Sequence, residues 1–318
     1  MSEAIRRALS EALDRGEPMA LLGQDIGPHG GVFGVTQGFW DRYGEEVVRE
    51  GPLCESSTVG FAIGLAISGV RSVVELEIMD FVGVAMDQLF NQAAKLHYFT
   101  GGKLSVPMVI RAPIGARIGM GCQHSQSLES WFMHIPGLKV AMPSNASDAY
   151  GLLKSALQDN NPVLFLETAR LYGARADVEL TSTGISYGRA RVVREGTDAS
   201  VVALGGMVPE ALRAAEILAD EGLDVEVIDP RTLVPLDIEC ILSSLRKTLH
   251  MVVAHDAHKS AGAGAEIAAL CMEHGFDYLD APVERVGARD VPIPSGPLMS
   301  AVFPDADDIV QAVRRTTR

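Results

Sequence analysis

The sequence lacks the cysteine pattern that would build a disulfide frame or a zinc site. Its four cysteines, Cys54, Cys122, Cys240 and Cys271, are scattered with no paired spacing. They read as reduced, mostly buried thiols of a cytoplasmic protein. A basic tract is also missing. Acids number 41 against 27 Lys and Arg, for a net charge of -14, which argues against nucleic acid or an anionic membrane as a partner. No apolar run is long enough and free enough of charge to span a membrane, and the run over 58–70 is too short. The first residues, MSEAIRRALSEALDRGE, form an amphipathic pattern with acids as well as bases. They have neither the apolar core of a secretion signal nor the acid-poor character of a transit peptide. The glycines of GPHGGVFGVTQGF (27–39) fit neither the dinucleotide nor the phosphate-loop spacing. No internal repeat or low-complexity segment is present.

What is present is a helix–strand alternation repeated along 318 residues, enough for two α/β domains with separate cores. Charged residues are 21% and hydrophobic residues 47%, a slight apolar excess that suits burial against partner subunits. Strands are expected at 19–22, 73–78, in VPMVIRAP, LKVAMP and NPVLFLE, with helices between them. Val- and Ile-rich strands separated by helices argue for a parallel sheet covered on both faces. The periodicity lapses over 170–186 and then restarts, through ASVVALGG, LDVEVID, MVVAHDAH and APVERVG. The expectation is two doubly wound domains, residues 1–175 and 189–318, joined by a crossover at 176–188.

The chain is organised around 51–95, GPLCESSTVGFAIGLAISGVRSVVELEIMDFVGVAMDQLFNQAAK. Residues 58–70 predict a buried helix packed closely through Gly60 and Gly64, 73–78 a central strand and 81–96 a second helix. At the mouth stands Glu55. Its residues alone leave two readings open: a carboxylate held for chemistry, or a helix cap shared with Ser56 and Ser57. The order of residues decides between them. A Glu before a Gly-rich helix, then a strand, then Asp-Phe, Met-Asp-Gln and Asn-Gln-Ala-Ala-Lys resembles the β subunit of the thiamin-diphosphate-dependent E1 component of 2-oxo acid dehydrogenase complexes. QHSQSLESWFMHIPGLKV and GPHGGVFGVTQG extend the resemblance over nearly the whole chain.

The resemblance implies a pyrimidine-binding domain of the transketolase type followed by a transketolase C-terminal-type domain. It gives Glu55 the role of hydrogen-bonding N1′ of the cofactor's aminopyrimidine, where a shared proton supports catalysis. Phe81 matches the aromatic that stacks on that ring, and Glu77 stands beside the cofactor. His124 matches an active-site His that faces substrate, a role suited to a near-neutral pKa. Backbone carbonyls near Ala156, Leu157, Asp159 and Asn161 match a potassium site in some members. Gly-Asp-Gly with a downstream Asn pair, which holds Mg²⁺ and the diphosphate in this superfamily, is missing here. It belongs to the α subunit, so the resemblance implies activity only in a heterotetramer of two α and two β subunits, with a lipoyl-bearing E2 as acyl acceptor.

Four positions depart from the family pattern. Gln24 replaces a Glu of an acidic path between active sites, Glu77 an apolar residue, and His29 and Ser295 two tyrosines. They leave the substrate open: the segment DFVGVAMDQLFNQAAK looks most like acetoin dehydrogenase β subunits, with pyruvate and branched-chain 2-oxo acids as the alternatives. Two other readings compete: a thiamin carboligase or acyloin synthase working without E2, and a non-catalytic scaffold. The retention of Glu55, Phe81 and His124 counts against the scaffold.

Overall fold

The computed structural model describes residues 1–115, 119–178 and 183–318. Positions 116–118 of the Gly-rich loop before His124, and 179–182 of the expected crossover, lie outside the described residues. The chain divides into two compact units, Met1–Ile114 with Trp131–Tyr187, and Gly115–Ser130 with Gly188–Arg318.

The first unit opens with α1 (Ser2–Asp14), β1 (Met19–Gly23), α2 (Phe39–Tyr43) and β2 (Val48–Glu50). It continues with α3 (Glu55–Ile67), β3 (Arg71–Glu75), α4 (Leu96–Phe99) and β4 (Met108–Ile114). A short α5 (Glu129–Met133) begins in the second unit. The first unit closes with β5 (Lys139–Ala141), α6 (Ala146–Ala156) and β6 (Val163–Thr168). Its strands lie in the order β5-β6-β4-β3-β1-β2 and run parallel. β3, β4 and β6 are almost wholly buried, as expected where helices cover both faces. The chain leaves β1 for β2 on one side and returns to β3 on the other. Ligands of open α/β sheets bind at such a reversal, outside the carboxyl ends of the strands.

Two expectations for 51–95 are corrected. The helix α3 is not buried all round: Val59, Ala62, Ile63 and Ala66 face inward, while Phe61 is 52% exposed. A Cβ at Gly64 would meet nothing within 4 Å, so no close packing is made there within this chain. Apolarity over the whole circumference suggests burial, but half of it is an outward apolar face. The second helix is also not regular. A 3-10 segment covers Met79–Ala85 and a π-helix Gln88–Ala93 before α4.

The second unit holds β7 (Arg191–Arg194), β8 (Ala199–Ala203), α7 (Met207–Asp220), β9 (Val225–Asp229) and β10 (Thr232–Val234). Then come α8 (Ile238–Thr248), β11 (Met251–His258), α9 (Ala263–Gly275), β12 (Glu284–Ala288) and α10 (Ala306–Thr316). Its five-stranded sheet runs β12-β11-β8-β9-β7, parallel except for the edge strand β7. Val201, Val227 and Val252 form the strand side of a core that Ala211, Leu218, Ile309 and Val313 close from α7 and α10. A capping box between Asp305 and Asp308 fixes the start of α10.

Candidate active site

In the first unit, the carboxyl ends of β1 and β3 and the first turn of α3 meet in a small cleft of about 20 Å³. Gly23, Gln24, Glu55, Thr58, Glu75 and Glu77 line it. Local geometry puts each acid there. Glu75 ends β3 and Glu77 follows it, while Glu55 opens α3. An acid in a first turn is favoured by the helix dipole. The N-cap is Cys54, with no side-chain cap bond, so Glu55 is not the helix cap.

Close backbone approach makes the cleft possible. A Cβ at Gly23 would lie 2.8 Å from the Glu75 carbonyl. Gly31, in the Gly-rich loop at φ +81, would place one 2.7 Å from Oε1 of Glu75. Only glycine suits such a left-handed, crowded position. Thr58 also lines a larger groove of about 560 Å³ beside Trp40 and Phe61.

Glu77 is half-buried, and its Oε1 is buried with no hydrogen-bond partner among the described residues. Its pKa is pushed up to about 7, first by desolvation and then by an acid–acid hydrogen bond with Asp25. The charges of Asp25, Glu75 and Glu55 add to the effect. Asp25 takes a left-handed conformation at φ 52, and its carbonyl accepts from the Gly31 N–H. Motif order points to Glu77 but not to Asp25, although the Gly-Gln-Asp that ends β1 is visible in the sequence.

Behind the cleft, Glu75 is held by Arg111, which also grips Glu167; Tyr172 donates to Glu167 at 2.5 Å. All four are buried. Strand register puts Glu75 directly beside Arg111.

The other expected residues lie elsewhere. Phe81 is half-buried in the 3-10 segment that packs on α3, outside the lining of the cleft. Asp159 is already engaged. Its carbonyl accepts from Arg71 at 2.5 Å, its carboxylate pairs with Lys139, and it also takes the Asn161 N–H at 2.9 Å. The Ala156 carbonyl accepts from the Asp159 N–H. Two cationic side chains, Arg71 and Lys139, thus stand at Asp159.

His124 belongs to the second unit. It is half-buried, its N–H donating to the Gly121 carbonyl at 3.3 Å. A Cβ on Gly121 would lie 3.6 Å from Cβ of Ser295, so Ser295 backs the loop that carries His124. Ser125 and Ser127, on the same stretch, are buried. Glu129, which follows, is completely buried, with neither carboxyl oxygen hydrogen-bonded among the described residues. Burial, and then the Asp256 charge, raise its pKa to about 7. No motif signals this burial, since an acid at a helix start normally faces water.

An acceptor-rich cleft with an orphaned carboxyl oxygen suits a ligand edge that carries N–H groups and a ring nitrogen able to share a proton. The aminopyrimidine of thiamin diphosphate has such an edge.

Residues 1–175 match the transketolase pyrimidine-binding domain, and residues 188–309 the transketolase C-terminal domain. The chain is 40% identical to "Pyruvate dehydrogenase E1 component subunit beta, mitochondrial" of Dictyostelium discoideum, covering 99% of this chain and 90% of that protein. It is 39% identical to "Pyruvate dehydrogenase E1 component subunit beta" of Rickettsia felis (strain ATCC VR-1525 / URRWXCal2), with 98% and 96% covered. Among solved structures, a "Split gene transketolase, inactive beta4 tetramer" superposes with a TM-score of 0.82 at 24% identity, over 99% of this chain and 98% of that one. That likeness is one of fold.

Proposed function

Because the chain belongs to the family of β subunits of thiamin-diphosphate-dependent E1 components of 2-oxo acid dehydrogenase complexes, we propose that it is the β half of an enzyme that decarboxylates pyruvate. It works with an α subunit and passes the acyl group to a lipoyl-bearing E2, in the cytoplasm. Pyruvate comes first because the relatives carry that name. The observation that carries the reading is the meeting of Glu55, Glu75 and Glu77 at the carboxyl ends of β1 and β3.

Glu55 would hydrogen-bond N1′ of the pyrimidine, from a partly exposed position at the mouth of the cleft. Glu77 stands beside it. Because Glu77 holds its own proton up to about pH 7, it offers a neutral acid where a charged one would repel Glu55. Gly23 and Gly31 let the backbone close over Glu75 and keep bulk out of the site. His124 is assigned a substrate-facing role from its place in the Gln-His-Ser-Gln motif. Phe81, on the 3-10 segment that packs on α3, is the ring that would stack on the pyrimidine face. When bound, thiamin diphosphate supplies the carbanion-stabilising thiazolium. The α subunit would supply the Mg²⁺ and diphosphate ligands, since Gly-Asp-Gly with a downstream Asn pair is missing from this sequence.

The apolar outward face of α3, with Phe61 52% and neighbouring Leu53 72% exposed, supports burial against a partner subunit. The reading predicts a heterotetramer of two α and two β subunits. Co-expression with the adjacent α-type subunit, followed by a panel of pyruvate, branched-chain 2-oxo acids and acetoin with thiamin diphosphate and Mg²⁺, tests it. Pyruvate-dependent acylation of a lipoyl domain is the expected result. Acyloin formation with no acyl transfer would replace it by the carboligase reading. Tight, Mg²⁺-dependent cofactor binding by the isolated chain would sink the α-subunit requirement.

A further inference from the structure

The second unit carries a pocket whose charge runs against that of the chain. The protein bears -14 net, yet four bases, Lys259, Arg285, Arg289 and Arg315, line one concavity of about 310 Å³. Asp308 is the one acid among its lining residues. That acid is engaged at the helix start, where its Oδ2 accepts from the Asp305 N–H in the capping box of α10.

The four bases come from separate places. Lys259 follows β11, Arg285 lies on β12, Arg289 just beyond it, and Arg315 on the last turn of α10. A solvated basic face of a helix would draw its charges from one element; here three elements converge. Two of the cations are partly anchored by the fold. Arg285 Nη1 donates to the Lys259 carbonyl at 2.9 Å, and Arg315 Nη2 donates to Glu284 at 2.8 Å. Each guanidinium has further N–H groups to offer. Among the described residues, Lys259 Nζ and the Arg289 guanidinium have no hydrogen-bond or ion-pair partner. Gln311 also lines the pocket and adds amide donors.

We propose that this pocket binds a compact anionic metabolite carrying at least two negative charges, as phosphate or carboxylate groups. The volume lies at the small end of ordinary ligand sites, too small for a folded partner. Guanidinium forks match the paired oxygens of phosphate and carboxylate, and a Lys adds a point charge. The convergence of like charges is itself unfavourable, and a bound polyanion relieves it. The site uses only residues of the second unit and does not depend on the E1 reading.

The test uses the full chain and calorimetry at constant ionic strength, without Mg²⁺. The probes are inorganic pyrophosphate, citrate and a poly-glutamate peptide. The double variant Lys259→Gln with Arg289→Gln removes the two unpartnered cations. Both side chains are exposed, and an unchanged melting temperature checks the fold. The expected result is saturable binding of pyrophosphate or citrate that weakens about tenfold or more in the variant, the scale of lost charge-assisted hydrogen bonds. Preference for pyrophosphate identifies a phosphate ligand, and preference for citrate a polycarboxylate. Equal affinity in both proteins would overturn the assignment. So would no binding above the salt control, or poly-glutamate binding tighter than either small anion.

Discussion

Arg111 grips Glu167 side-on, Nε donating to Oε1 and Nη2 to Oε2, each at 2.7 Å. The remaining arm, Nη1, holds Glu75, which lines the candidate active-site cleft. One guanidinium thus serves two buried carboxylates, with burial pushing Glu75 upward and the pair of acids holding Arg111 charged. Arg111→Ala would leave both acids buried without their cation. Removing one partner of a buried pair costs about 3–5 kcal/mol, so the denaturant midpoint should fall steeply. Arg111→Lys should recover only part, because a point charge cannot replace the fork. A loss below about 1 kcal/mol in the alanine variant would show that the network is solvated in solution.

Glu129 predicts a stability that depends on pH. Its folded pKa of about 7 lies above the ordinary carboxyl value of 4.5. The folded state then binds the extra proton, so the contribution is full below about pH 4.5 and is lost as pH rises through 7. The loss is about 3 kcal/mol at 1.36 kcal/mol per unit. Glu129→Gln should therefore stabilise the protein at pH 8, by about 1–3 kcal/mol, and leave it unchanged near pH 4. Urea unfolding at the two pH values measures this. Equal midpoints at pH 8 would mean that Glu129 is charged and compensated there.

His255 gives the opposite slope. It is buried, its Nδ1 within 3.1 Å of the Ala257 carbonyl, and desolvation lowers its pKa to about 4. The unfolded state binds the proton first, so stability is present above about pH 6.5 and is lost as pH falls toward 4. The ring is hemmed in by glycines. A Cβ on Gly262 would lie 2.6 Å from Cε1, and one on Gly264 2.7 Å from Nε2. Gly264→Ala should cost about 1–3 kcal/mol through overpacking. His255→Gln should flatten the acid limb of the stability curve. An acid limb of unchanged slope would assign it to other groups.

Parts of the molecule are legible in the sequence and parts are not. The strand and helix alternation of both units can be read from apolar periodicity, because each Val-rich strand is buried on both faces. The short strands β2 and β7 offer no run long enough to see. The helix α3 misleads because apolar residues on an exposed face look the same in sequence as core residues. The segment 79–99 keeps a helical composition but winds as 3-10, π and α in turn. Motif order singles out Glu55 and Glu77, and both line one cleft in the fold. It does not find Asp25, Arg111 and Glu167, since they meet Glu77 and Glu75 only through sheet register and a left-handed turn, with Arg111 lying 36 residues from Glu75 and 56 from Glu167.

Substitution separates the roles of Glu55 and Glu77. In the complex assembled with its α subunit, Glu55→Gln keeps size and hydrogen bonding but cannot share a titratable proton. Turnover should fall about 10²–10⁴-fold, the usual cost of losing a positioned acid–base group. Assembly should be retained, because no side-chain cap bond at α3 is lost. Glu77→Gln is different. It fixes in a neutral form a group whose pKa stands at about 7, so turnover should survive while an inflection near pH 7 disappears from the rate profile. The double variant shows whether Glu77 stands in for Glu55. If it does, Glu55→Gln with Glu77→Gln falls below the product of the single losses. If the two act independently, the losses multiply. Rate profiles of all three variants between pH 5 and pH 9, roughly two units either side of that inflection, decide the matter. Wild-type turnover in Glu55→Gln would show that the cleft between β1 and β3 is not where the chemistry occurs.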